Sequence, residues 1–301
     1  MPRIATRHRY AFALCLLIAT ALVLEIALRP AHAWWSGGHK AIAIAAAKML
    51  PDDVPEFFRS ATDELAEMSV EPDEWKSPMT PRLRATEQPE HYIDLELFEG
   101  KPYPRARFDA LKHYDHLDGD KYKNISIGRG GTLPYAIEEG YERLLLAFRQ
   151  VRIYPESQGA KHRAILYAGW LAHYCGDCAM PLHTTINYDG KPGDDGHMIQ
   201  KGIHARLDGY PEKNGFTPEM LAENQKPNRV ADVWTEINRA IAESHQNVEK
   251  SYELDAANGF DTAPEKAKDF VLERTRAAAK LTADLWYTAW IKSDPGKATI
   301  K

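Results

Sequence analysis

Apolar positions recur at helical spacing along most of the chain, and no stretch alternates as a strand does. The periodicity predicts helices over residues 39–50, two shorter pieces within 54–69, then 134–151, 158–178, 202–207, 230–252 and 264–291. Thr132 and Pro134 make a helix start, with Glu138 and Glu139 in the first turns. The expected class is all-α, in a single domain. Two connections are longer than a simple bundle needs: residues 77–131, with stretches rich in Pro, Gly and charge, and 187–196, with three glycines and three aspartates. Long ordered loops often carry function.

The N-terminus breaks this pattern. Arg3, Arg7 and Arg9 precede an apolar stretch over residues 10–28, and Ala31-His32-Ala33 follows. That order reads as a secretory signal peptide over 1–33, with the mature domain over 34–301, so the product is expected to be periplasmic or secreted. A membrane anchor is the alternative, and Glu25 inside the stretch argues against it. Without Arg3, Arg7, Arg9, Arg29 and Glu25 the formal charge falls from −5 to about −8. Such a protein is a poor non-specific partner for duplex DNA.

Candidate chemistry concentrates in HYCGDCAMPLH, from His173 to His183. His173 and Asp177 are four apart, so on a helix both project from one face and can close on one ion. Met180-Pro181 then ends or kinks the helix and turns His183 back toward the same region. A lone pair of this kind is more often a surface ion pair or a satisfied core histidine. The spacing recurs, however, at His204 and Asp208 in GIHARLDG. Cys175 and Cys178 lie in the same run and read as small buried residues, with a disulfide as the alternative and redox catalysis a third reading. There is no G-x-S-x-G, G-x-x-x-x-G-K-[ST] or G-x-G-x-x-G, so nucleophile-elbow, P-loop and Rossmann chemistry are not expected. Gly128, Gly130 and Gly131 read as a flexible lead into the helix at Pro134.

With WWSGGH at 34–39, EPDEW at 71–75 and EHYIDL at 90–95, these motifs form an ordered set. The set resembles the three-zinc superfamily of fungal and plant single-strand-specific nucleases and bacterial zinc-dependent phospholipases C. That resemblance implies an all-α fold around a trinuclear zinc cleft. It implies that Trp34, once freed by cleavage, binds zinc through its α-amino group and carbonyl, together with His39. Asp73, His91, His173 and Asp177 would hold the buried zinc, with Asp177 shared between those two ions. His183, His204 and Asp208 would hold the third, more exposed zinc. Asp73 and Asp177 are the implied catalytic carboxylates, and the implied reaction is metal-activated attack of hydroxide on phosphorus. Nitrogen and carboxylate donors with open positions suit catalytic zinc.

The five-residue step from Trp34 to His39 and the aspartate at 208 lie nearer the nucleases. By the same resemblance Tyr92 and Asp94 would stack on and hydrogen-bond a base of single-stranded nucleic acid. The alternative is that they pack the site and orient His91. Phospholipid is the alternative substrate, a non-catalytic metal-stabilised binding protein is a third reading, and no stable protein partner is implied. Met180 stands where many of the nucleases have glutamine, and the resemblance does not explain the insertion 99–131. His113, Asp115, His116, Asp118 and Asp120 read as a solvated polar loop lacking the full calcium pattern. His197 reads as surface or substrate-side, and Leu281, Leu285, Trp286, Tyr287 and Trp290 as core.

Overall fold

A computed structural model describes residues 34–117 and 130–296. The segment 1–33 expected to be a leader, Asp118, Asp120 and Gly128 lie outside the described residues, which belong to one compact unit, His32–Lys301. The chain is all-α. Helix α1 (Trp35–Met49) is followed by short helices α2 (Glu56–Arg59), α3 (Thr62–Met68), α4 (Glu71–Glu74) and α5 (Pro81–Glu87). After α6 (Arg107–Asp115) come the long antiparallel neighbours α7 (Leu133–Ile153) and α8 (Gln158–Ala179). A two-strand hairpin, β1 (Lys191–Pro192) and β2 (Met198–Ile199), precedes α9 (Ile203–Asp208), α10 (Tyr210–Lys213) and α11 (Pro218–Ala222). Then follow α12 (Val233–Gln246), α13 (Val248–Ala256) and α14 (Lys268–Lys292). Among the described residues no helix is long and apolar enough to cross a membrane.

Helix α7 is amphipathic: Ile137, Gly140, Tyr141, Leu144, Phe148 and Val151 fall on one stripe and are buried. Helix α8 starts at Ser157, whose hydroxyl accepts from the Ala160 amide. Its second half is different, because every residue from Leu171 to Ala179 is buried. This is the central helix, with α1, α3, α7, α12 and α14 around it. Small residues allow that crowding: a methyl group on Gly169 would sit 2.3 Å from Met68 Cβ. Leu281, Leu285 and Trp286 are buried in α14, and Tyr287 and Trp290 pack partly buried against the same core, as expected.

Several expectations are corrected. The region 77–131 holds α5, α6 and the 3-10 turns Gln88–His91 and Leu95–Phe98. Helix α6 buries only Ala110 and Tyr114, too narrow a stripe to show periodicity. The expected helix 230–252 is broken at Asn247, whose side-chain amide donates to the Glu243 carbonyl. Strands do exist in 187–199, but with two residues each they cannot display alternation. Gly130 and Gly131 are close-packed rather than flexible. Gly131 has φ +83°, and a Cβ there would lie 2.0 Å from the Tyr92 carbonyl oxygen; one on Gly130 would strike the Tyr114 ring. Asp94 N donates to the Gly130 carbonyl at 2.9 Å, Leu133 N to that of Tyr92 at 3.1 Å, and Ile93 N to that of His183 at 2.9 Å. The segment carrying His91, Tyr92 and Asp94 is thereby pinned from both sides.

Candidate metal centre

Helix α8 supplies His173 and Asp177 one turn apart, with Nε2 and Oδ2 separated by 3.3 Å. Met180, extended ahead of Pro181, ends the helix, and the 3-10 turn Pro181–Thr184 brings His183 back, as the sequence predicts. Helix α4 contributes Asp73, and the turn Gln88–His91 contributes His91. His91 Nδ1 lies 2.9 Å from both His173 Nε2 and Asp177 Oδ2, while Asp73 Oδ1 lies 3.7 Å from His91 Nδ1 and from His173 Nε2.

Four ligands of a tetrahedral ion with bonds of 2.0–2.1 Å are separated by about 3.3–3.4 Å. The measured edges, 2.9–3.7 Å, bracket that value. The other oxygen of Asp177 faces elsewhere: Oδ1 is 3.6 Å from His39 Nε2 and 3.6 Å from His183 Nδ1. His39, on α1, stacks on His173 with ring centroids 4.0 Å apart. The two oxygens of one carboxylate therefore face different histidines. In the third group His183 Nε2 and His204 Nε2 are 3.3 Å apart, and His204 Nε2 is 3.0 Å from Asp208 Oδ2. Asp189 Oδ1 fixes this end of the site by accepting from the amides of Gly202 and His204.

Among the described residues three sets of side chains can thus hold a metal ion: Asp73, His91 and His173; His39, His173 and Asp177; and His183, His204 and Asp208. The donor chemistry fits zinc. His173 Nδ1 donates to the Ser69 carbonyl at 2.8 Å and His183 Nδ1 to the His91 carbonyl at 2.5 Å, which leaves each Nε2 lone pair facing its group. His39 Nε2, Asp177 Oδ1 and Asp208 Oδ1 are buried without a hydrogen-bond partner, a state that bound cations relieve. Burial, then the neighbouring His173, pushes His39 down to about 3. His183 also falls to about 3, through burial and His204 against the pull of Asp177. Burial alone would raise Asp177, but His173 and His183 hold it well below the usual carboxylate range. Against the lowering effect of burial, Asp177 raises His173 and Asp208 raises His204, so the neutral imidazole that a metal requires is favoured at His39 and His183, while binding at the other two displaces a proton.

Trp34 is fully buried, and its indole Nε1 donates to the Gly176 carbonyl at 2.8 Å, next to Asp177 in the chain. Both Trp34 (φ +54°) and Trp35 (φ +33°) adopt left-handed backbone, a strained conformation for such residues. Gly176 explains itself by packing, since a Cβ there would lie 2.8 Å from His39 Nδ1. In a helix interior alanine is favoured over glycine by about 1 kcal/mol. Gly176→Ala is nevertheless expected to displace His39 and weaken metal binding at its group, leaving the His183 group filled. Metal content by mass spectrometry checks this; full occupancy with unchanged affinity would contradict it.

Sequence reasoning missed Lys76. It is buried, with Nζ 2.5 Å from Asp73 Oδ1, and the only signal was its place three residues after Asp73. Tyr92 is half-buried and Asp94 buried, both beside His91. Burial, then Glu96, pushes the Asp94 carboxyl up to about 8. The folded chain therefore holds this proton over a range where the unfolded chain, with an ordinary aspartate, has lost it. Stability should fall as pH rises from about 4 through 8, and Asp94→Asn should flatten that slope. Urea midpoints between pH 5 and 9 test this, and parallel curves for the two proteins would rule it out.

Other candidates lie apart from the metal groups. His113 bonds to the Leu97 carbonyl and stacks on Phe98, and His116 bonds to the Lys112 carbonyl. His197 is exposed at the hairpin turn. Cys175 and Cys178 are free thiols buried within intact α8, so the alternative disulfide is not formed; burial pushes both thiols up, away from reactivity.

No family model and no curated protein matches the chain. Among solved structures it is similar to the alpha-toxin of Clostridium perfringens, isolated from an avian strain, at 14% sequence identity and a TM-score of 0.47 over 88% of this chain. The match spans 64% of the toxin chain.

Proposed function

We propose that this chain is an exported, three-zinc phosphodiesterase whose substrate is single-stranded nucleic acid. The observation that carries the reading is Asp177: its Oδ2 faces His91 and His173, its Oδ1 faces His39, and the His183 group begins just beyond the same helix. Zinc bound to such groups supplies an activated water and offsets the charge of a phosphodiester. Asp73, His91, His173 and Asp177 hold one position. His39 and Asp177, joined by the α-amino group and carbonyl of Trp34 once the leader is removed, hold the second. His183, His204 and Asp208 hold the third.

Lys76 pairs with Asp73 at the edge of the first group. Tyr92 offers a half-exposed ring for stacking on an unpaired base, worth about 1–3 kcal/mol, and Asp94 a protonated carboxyl for hydrogen bonding to it. A chain carrying residues ahead of Trp34 should lose metal at the His39 group relative to one beginning at Trp34. Equal zinc content and activity in the two forms would remove Trp34 from the ligand set.

A second reading, hydrolysis of phospholipid, is favoured by one observation. Ile186, Tyr188, Met198 and Ile199 are exposed around the hairpin, and the Tyr188 ring meets His204 edge-on at 5.9 Å. Apolar side chains beside the third group suit an acyl surface better than a polynucleotide. Hydrolysis assayed side by side on single-stranded DNA, RNA and phosphatidylcholine vesicles, with and without zinc, separates the readings. Cleavage of nucleic acid alone is expected; cleavage of phosphatidylcholine alone selects the second reading. Zinc binding with no cleavage selects a metal-stabilised binding protein.

A further inference from the structure

We propose that Glu87 is a positioning residue for His91, forming the outer member of a carboxylate, histidine and metal relay; this rests on the metal-binding reading above. Helix α5 is exposed along its length except for its last residue, and that residue is a carboxylate. Burying Glu87 gains no apolar packing and removes a charge from water, so its placement calls for a polar reason. Two groups meet it. Tyr174 Oη donates to Glu87 Oε1, and His91 Nε2 lies 3.6 Å from that same oxygen.

The tautomer of His91 follows from its surroundings. Nδ1 is the atom facing His173 Nε2 and Asp177 Oδ2, so an ion in this group takes the Nδ1 lone pair. The ring proton must then sit on Nε2, which is buried and has no hydrogen-bond partner. Glu87 Oε1 is a carboxylate acceptor less than 1 Å beyond hydrogen-bond range. A small turn of the ring makes the bond, and the negative charge behind the imidazole strengthens it as a donor to the metal.

Two other histidines of the centre differ in this respect. His173 and His183 are oriented by backbone carbonyls, which no substitution removes, whereas His91 is served by a side chain. Tyr174 follows His173 in α8 and packs edge-on against the His91 ring at 5.7 Å. It holds the carboxylate in place, so the pair Glu87 and Tyr174 links exposed α5 to the central helix.

The test uses the full chain stripped of metal, titrated with zinc or cobalt against a chromophoric chelator. Glu87→Gln should weaken the group containing His91 about tenfold and Glu87→Ala up to about a hundredfold, with the His183 group unchanged. In zinc-loaded wild-type protein the His91 Nε2 proton should appear as a downfield, slowly exchanging NMR signal, absent in Glu87→Ala. Circular dichroism and melting of the metal-free variants report folding separately; if Glu87→Ala does not fold, Glu87→Gln and Tyr174→Phe carry the test. Wild-type affinity in folded Glu87→Gln overturns the proposal while leaving the metal centre standing. Failure of the wild-type chain to bind either metal overturns both.

Discussion

Asp177→Asn is expected to empty two of the three metal groups and to lower turnover by roughly a thousandfold, the equivalent of losing several kcal/mol of charge stabilisation. The reason lies in how the carboxylate is used. Oδ2 stands 2.9 Å from His91 Nδ1 and 3.3 Å from His173 Nε2, while Oδ1 faces His39. An amide keeps one oxygen, so either orientation deprives one group of its ligand, and its NH2 turns a donor toward the site. The lost charge weakens both groups, since buried cations need an anion beside them. His183, His204 and Asp208 do not depend on it and should retain their ion. Mass-spectrometric metal content with steady-state kinetics checks the result. Full metal content with ordinary turnover would remove Asp177 from its shared role.

Removing metal should cost stability as well as activity. The candidate ligand side chains are almost entirely buried, and His39 Nε2, Asp177 Oδ1 and Asp208 Oδ1 have no hydrogen-bond partner within the described chain. Bound ions compensate those atoms in the folded state alone, so metal stabilises by mass action, about 2.7 kcal/mol for each site at a hundredfold excess over its Kd. For a domain of this size each kcal/mol corresponds to about 2–4 °C, so emptying all three sites by chelation is expected to lower the melting temperature by roughly 15–30 °C. The effect should reverse on adding zinc and should fade as pH falls, because protons displace metal from histidine. A melting temperature indifferent to chelator would contradict metal-linked folding.

How much of this was legible in the sequence depended on whether neighbours in space were neighbours in the chain. His173 and Asp177 could be paired because a helix fixes what lies four residues apart. Met180-Pro181 carried its own signal for the turn that returns His183. His39, Asp73 and His91 could not be placed by spacing, since nothing local relates them to α8. They were found through an ordered resemblance, and the structure brings all three to the end of α8. Lys76 and Glu87 went unread for another reason: charged residues near turns are normally solvated, and only burial sets these two apart.

The fold shows the same division. Stripes of six or more buried residues, as in α7, announced themselves, but α6 with Ala110 and Tyr114 did not. Gly130 and Gly131 read as looseness when they mark the tightest packing in their segment, where Tyr114 and the Tyr92 carbonyl leave no room for a Cβ. Glycine in a sequence signals either freedom or closeness, and the choice is made by residues far along the chain.

Anomalous X-ray scattering above and below the zinc absorption edge, from crystals grown with zinc, separates this description from its rivals. Three peaks are predicted: one among Asp73, His91, His173 and Asp177, one beside His39 and Asp177, and one among His183, His204 and Asp208. Both peaks nearest Asp177 should lie about 2 Å from one or the other of its oxygens. A structure without ordered peaks at these side chains, or with Asp177 touching a single ion, would contradict it.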